Sequence, residues 1–122
     1  MIYYHHEQRE KMLSNPCNKK LDAVLQKNFP ENDKWGACVY FEEDDVTIGF
    51  IEICKLTDAS INGATWTHYC HIGRYDDVWE LYSQFNGKKE NELWVFGYYK
   101  NFGDAVRRVK LGIEKLKPIK KY

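Results

Sequence analysis

Apolar residues recur along this chain with two different periods, and the change of period marks out its elements. Residues His5 to Leu13 are polar and tolerant of helix, with Met12 and Leu13 at their apolar end. Ser14-Asn15-Pro16 reads as a break and a restart: Asn15 can cap a helix, and Pro16 suits the first turn, where a missing N–H leaves nothing unbonded. Cys17, Leu21, Val24 and Leu25 then fall at helical spacing, and the helix should stop before Pro30. The same period returns near the C-terminus in Phe102, Val106, Val109, Ile113 and Leu116. Asn101, with Asp104 three residues on, resembles a capping box at the start of that run, and Pro118 closes it.

Between these helices the period drops to two. Trp35, Ala37, Val39 and Phe41 alternate with Gly36, Cys38 and Tyr40. An acidic turn follows over Glu42 to Asp45, and Val46, Ile48 and Phe50 then alternate with Thr47, Gly49 and Ile51. Two alternating runs joined by a tight polar turn predict a β-hairpin. Asp58 to Gly63 reads as a loop. From Thr65 to Ile72 a third strand alternates, with Trp66, His68, Cys70 and Ile72 on one face and Thr65, Thr67, Tyr69 and His71 on the other. Asp76-Asp77 would open a short helix with Val78, Trp79, Leu81, Tyr82 and Phe85 as its apolar face and Asn86-Gly87 as its close. Leu93 to Tyr99 is a fourth strand. The pattern therefore predicts an α+β fold in the order α-α-β-β-β-α-β-α, an antiparallel sheet of about four strands with helices packed on one face.

Length fits one domain spanning residues 1–122. With 43% hydrophobic and 30% charged residues, the chain is not a disordered one. Its 4 Trp, 9 Tyr and 6 Phe supply large burial per side chain and also flat surfaces for binding. Apolar runs are too short for a membrane span, and no secretory leader is visible. Cys17, Cys38, Cys54 and Cys70 are irregularly spaced with no CxxC pair, so the expected setting is the reducing cytoplasm, with all four as small hydrophobes. Net charge is zero, yet Glu31 to Asp58 carries eight acids against two bases, and Lys100 onward carries eight bases against two acids. Opposite excesses of this size suit self-pairing in a homo-oligomer, or a basic face turned to an anionic partner.

The candidate chemistry is sparse. His68, Cys70 and His71 are the densest group of metal-ligand types, but a structural zinc site needs four convergent ligands and no second cluster matches. No cofactor or metal is expected, and His68 reads as a half-buried strand residue. There is no GxSxG elbow, Walker loop or GxGxxG. The Glu42-Glu43-Asp44-Asp45 run lacks the ligand spacing of an EF-hand and reads as a solvated turn. The constellation with most to offer is Trp94, Tyr98, Tyr99, Lys100, Arg107 and Arg108. It puts aromatics at a strand end, then a cation, a tight turn and a helix start, a layout in which a nucleobase can stack and a phosphate can meet guanidinium groups and free N–H groups. Strand alternation puts Trp94 and Tyr98 on one face and Tyr99 on the other.

The small size, the sheet-plus-helix order from Trp35 to Leu116 and the final strand-turn-helix from Leu93 to Leu116 resemble the compact proteins that phages carry against host defences. Among these the chain is similar to the Thoeris anti-defence sponge family. That resemblance implies a viral, non-enzymatic binding protein that sequesters cyclic ADP-ribose-type signals without cleaving them, and it carries over no individual residue. The expected function is accordingly sequestration of a phosphate-bearing nucleotide. Two other readings stand beside it: a protein-binding inhibitor or immunity protein, whose acidic hairpin Glu42 to Asp45 mimics nucleic acid toward a host or toxin protein, and a small hydrolase acting through His68 or His71.

Overall fold

The computed structural model describes residues 2–4, 9–31, 33–41, 48–57, 65–83 and 93–122 of the chain. The fold is α+β. Its strands are β1 (Ile2–Tyr4), β2 (Trp35–Phe41), β3 (Ile48–Thr57), β4 (Thr65–Tyr75), β5 (Val78–Ser83), β6 (Trp94–Tyr99) and β7 (Lys120–Lys121). They are ordered β1-β2-β3-β4-β5-β6-β7 in a mixed sheet of seven strands, not the antiparallel sheet of about four that alternation predicts. β1 pairs parallel to β2; the β2–β3, β4–β5, β5–β6 and β6–β7 pairs are antiparallel. The helices are α1 (Arg9–Leu13), α2 (Pro16–Asn28) and α3 (Phe102–Leu111), with a short 3-10 turn over Ile113–Lys115. Contacts divide the chain into two compact units, Met1–Tyr69 and Cys70–Tyr122.

In the first unit, α2 begins as its sequence dictates. The Asn15 side chain accepts the Cys17 N–H at 2.9 Å, and Pro16 occupies the first turn. The helix ends where the Phe29 N–H donates to the Leu25 carbonyl at 2.8 Å, one residue before Pro30. Its buried stripe is Asn18, Leu21, Asp22 and Leu25, while Cys17 is exposed, so the inward face carries two polar residues that the apolar spacing does not reveal. Both are bonded to the strands. The Asn18 side-chain Oδ1 accepts the Ile48 N–H at 3.4 Å, and the Tyr4 hydroxyl donates to Asp22, which anchors the three-residue β1. Residues 5–8 of the expected first helix lie outside the described residues; α1 forms its C-terminal part.

Burial pushes the Asp22 carboxyl above the usual carboxylate range, against the opposing effect of a hydrogen bond with Gln26. A carboxyl whose folded-state pKa is raised favours the folded chain when protonated and disfavours it once pH rises through that pKa. Thermal melts of wild type should therefore gain stability on going from neutral to mildly acidic pH. Asp22→Asn, which keeps an oxygen for Tyr4, should flatten that part of the profile. An identical profile in the variant would assign the pH dependence to other groups.

The β2–β3 hairpin forms as expected, and its turn residues, including Glu42 to Asp45, lie outside the described residues. Ala37 and Val39 are buried opposite Ile53 and Ile51. One detail departs from simple alternation. Tyr40 pairs with Phe50 and Phe41 with Ile48, so Gly49 is an extra residue on β3. Such a bulge shifts the side-chain phase by one, which brings Ile48 into the core with Ile51 and Ile53, instead of onto the face of Phe50.

In the second unit, the segment expected to be a helix from Asp76 is strand β5. Tyr75 pairs with Val78, so Asp76-Asp77 is the two-residue tip of a hairpin, and Asp76 adopts φ 52°, a left-handed conformation that Asp tolerates better than most residues. The expected close at Asn86-Gly87 lies outside the described residues. Trp79 and Leu81 point into the core with Cys70 and Ile72. Over them packs α3, through Phe102, Ala105, Val106 and Val109. Asn101 caps it by accepting the Gly103 N–H at 2.8 Å, while the Asp104 carboxylate bonds Arg107. The helix stops short of the expected Leu116 because Gly112, at φ 106°, turns the chain; Ile113 remains buried in the 3-10 turn that follows. β7 then adds at the edge of β6, a pairing too short to leave a pattern in the sequence.

Candidate functional site

β6 carries the aromatics singled out from the sequence, and a second bulge decides which way they face. Leu81 pairs with Gly97 but Tyr82 with Val95, leaving Phe96 as the extra residue. Tyr98 consequently lies opposite Glu80, and Trp94 opposite Ser83, three positions along β5 and so on the other face. The last strand reports the same division. The Lys121 ammonium stands 5.4 Å from the Trp94 ring, whereas Tyr122, one residue on, reaches Glu80. Trp94 and Tyr98 therefore do not share a face, contrary to simple alternation.

Tyr99 lies opposite Trp79, on the face that α3 covers, and rests over Gly97, where an added Cβ would come within 3.1 Å of the tyrosine ring. Trp79 itself stacks on Phe102 at 4.9 Å. Lys100 is exposed in the turn before the helix. Arg107 is exposed and paired with Asp104 within the helix. Arg108 is half-buried, and its Nε finds no hydrogen-bond partner among the described residues. The helix start is already capped by Asn101 and carries Asp104 in its first turn, so its N–H groups are not presented to an anion in the way the sequence layout suggests. Of the six residues, the fold places Tyr98 on one side of the strands and Trp94 and Tyr99 on the other, with the two arginines on the helix.

The side of Tyr98 is the more informative. Glu80 is a carboxylate only 8% exposed, and it accepts a hydrogen bond from the Tyr122 hydroxyl at 2.8 Å. Tyr98, 39% exposed, is also hydrogen-bonded to Glu80, and the Tyr75 ring lies 5.6 Å from that of Tyr98. The Lys120 ammonium stands 4.4 Å from the Tyr122 ring centre. Hydrogen bonding to the carboxylate raises the Tyr122 phenol above its ordinary range; the Tyr98 phenol is raised too, by desolvation and then by the same carboxylate. Each phenol therefore stays a neutral donor to Glu80 well above physiological pH. The result is an acceptor floor rimmed by three partly exposed rings with a cation at its edge. Tyr75, Glu80, Lys120 and Tyr122 were not picked out from the sequence, because they come from three strands and the chain's last residue.

Two histidines set aside as strand residues are also placed. In the second unit His71 stacks on Tyr82 at 5.1 Å, nearly parallel. In the first, His68 is half-buried. Nearby, burial and then the charge of Glu52 push the Cys54 thiol up to about 11, and a hydrogen bond with Cys38 is the main cause that lifts Tyr40 to about 12. No helix among the described residues is long and apolar enough to cross a membrane. No family model matches this chain, and neither a curated protein nor a solved structure matches it.

Proposed function

We propose that the chain is a non-catalytic binding protein that captures a phosphate-bearing nucleotide on the tyrosine face of its Cys70–Tyr122 unit, in the manner of a phage anti-defence sponge. The observation that carries this reading is the exposed Tyr98 ring beside the nearly buried Glu80 carboxylate. A nucleobase stacks on a tyrosine whatever its sequence identity, and an exocyclic amino group donates to a carboxylate. Glu80 has acceptor capacity beyond its tyrosine partners, since an ionised carboxylate offers about four lone-pair sites. Lys120, at the rim, supplies the charge for phosphate. In this reading the phosphate contact falls to Lys120, because Arg107 and Arg108 belong to the helix that packs over the opposite side of β5 and β6.

Calorimetric titration with a panel of adenine and guanine nucleotides, linear and cyclic, tests the assignment. Tyr98→Ala should weaken capture by roughly 1–3 kcal/mol of lost stacking, about tenfold or more in Kd. Lys120→Ala should weaken it most at low salt, where the phosphate contact is least screened. The Arg107→Ala/Arg108→Ala double variant should bind as wild type does. Loss of binding in the arginine variant with retention in Tyr98→Ala would move the site to the start of α3, and no binding by wild type would end the reading.

A further inference from the structure

Glu80 also bears on which base is captured, an inference that rests on the nucleotide reading of the tyrosine face. In the sheet Glu80 pairs with Gly73 on β4 and with Tyr98 on β6. Gly73 brings no side chain to that place. The ring of Tyr82, two residues along β5 from Glu80, lies over it instead, where an added Cβ would meet the ring at 3.0 Å. The carboxylate is thus set among tyrosines, with Tyr82 toward β4, Tyr98 toward β6, and the Tyr122 hydroxyl donating to Oε2 at 2.8 Å. The phenols of Tyr122 and Tyr98 take up two of the roughly four lone-pair sites of a carboxylate. The sites left over can only accept, and on a side chain 8% exposed water competes little for them.

We infer that the base held on the tyrosine face is guanine, and that Glu80 selects it. The Watson–Crick edge of guanine presents two adjacent donors, its ring N–H and its 2-amino group, which match the two oxygens of one carboxylate. Adenine and cytosine present a single amino donor beside a ring nitrogen whose lone pair a carboxylate oxygen repels. Uracil presents one N–H between two carbonyl acceptors. An acceptor-only group therefore discriminates by repulsion as well as by attraction. Tyr98 offers stacking that suits any base, and Lys120 a charge that suits any phosphate, so neither of them chooses the base. Glu80 does. Its place on a central strand, paired on both sides, holds the carboxylate in position before a ligand arrives.

Calorimetric titration of the intact chain with guanosine, inosine and adenosine monophosphates, at one salt concentration, tests this. Inosine monophosphate keeps the ring N–H of guanine and lacks only the 2-amino group. The guanosine nucleotide should bind at least about tenfold tighter than either of the others, the effect of one charge-assisted hydrogen bond. Glu80→Gln keeps the shape of the side chain and an oxygen for the tyrosines, but offers one acceptor beside one donor, the pattern that fits adenine. The variant, folded by circular dichroism, should therefore lose the guanine preference and bind the adenosine nucleotide at least as tightly. The wild-type series needs no variant, so it decides the matter even if the substitution unfolds the chain. Affinities of wild type for all three within about threefold would overturn the guanine assignment while leaving the nucleotide reading in place. A folded Glu80→Gln protein with an unchanged preference would do the same, and binding of none of the three would overturn both.

Discussion

Val109→Asp should cost about 3 kcal/mol or more and lower the melting temperature on the order of 10 °C or more. Val109 is fully buried in α3, on the stripe it shares with Phe102, Ala105 and Val106. No basic residue lies on that stripe to pair with a carboxylate, since the arginines and Lys110 of the helix occupy its other faces. An unpaired charge in such a place either stays ionised at a large desolvation cost or takes up a proton, and both routes subtract from a total stability of only about 5–15 kcal/mol. Thermal unfolding followed by far-UV circular dichroism measures the loss. A melting point equal to that of wild type would remove α3 from the core.

Trp79→Ala should be similarly damaging, at about 3–5 kcal/mol, the usual range when a large buried aromatic is cut back to a methyl. Trp79 is 7% exposed, stacks on Phe102 at 4.9 Å and holds the Arg74 guanidinium 5.2 Å from its ring centre. Its removal opens a cavity between β5 and α3, and the rigid strand cannot collapse to fill it. Chemical denaturation should show a lower midpoint with little change in slope. A loss below about 1 kcal/mol would mean that Trp79 is not the seat of the helix.

These two residues also show what the sequence discloses and what it conceals. The α3 stripe and its Asn101 cap are legible because a helix start announces itself within a few residues through a capping side chain, whereas its stop at Gly112, well before Pro118, departs from the spacing. The same holds for α2, bounded by Asn15-Pro16 and Pro30. Trp79 lies in a segment that satisfies two templates. Val78, Leu81, Tyr82 and Phe85 fit the spacing of one helical face, yet Trp79, Leu81 and Ser83 fit one side of a strand. What resolves the ambiguity is the positive φ of Asp76 and the pairing of β5 between β4 and β6, a tertiary choice that local spacing does not contain.

The faces of the sheet are hidden for a related reason. One extra residue at Gly49 and another at Phe96 each reverse the alternation, so side chains on either side of the bulge exchange faces. This is why Trp94 and Tyr98, four residues apart, part company, and why the tyrosines that gather round Glu80 were invisible as a group. β1 and β7 leave no pattern in the sequence because three and two residues are too few to alternate. The excess of basic residues after Lys100 is plain in the sequence; that it brings Lys120 beside a tyrosine and Lys121 beside a tryptophan depends on the pairing of β7 with β6.

Native mass spectrometry of the freshly purified protein, before and after incubation with the nucleotide panel, tests the central claim most directly. The account predicts a stoichiometric complex of nucleotide mass that survives gentle transfer, and that the Tyr98→Ala variant, folded by circular dichroism, fails to form. A wild-type spectrum without any nucleotide adduct at saturating concentration, or an equally populated adduct in Tyr98→Ala, would contradict it.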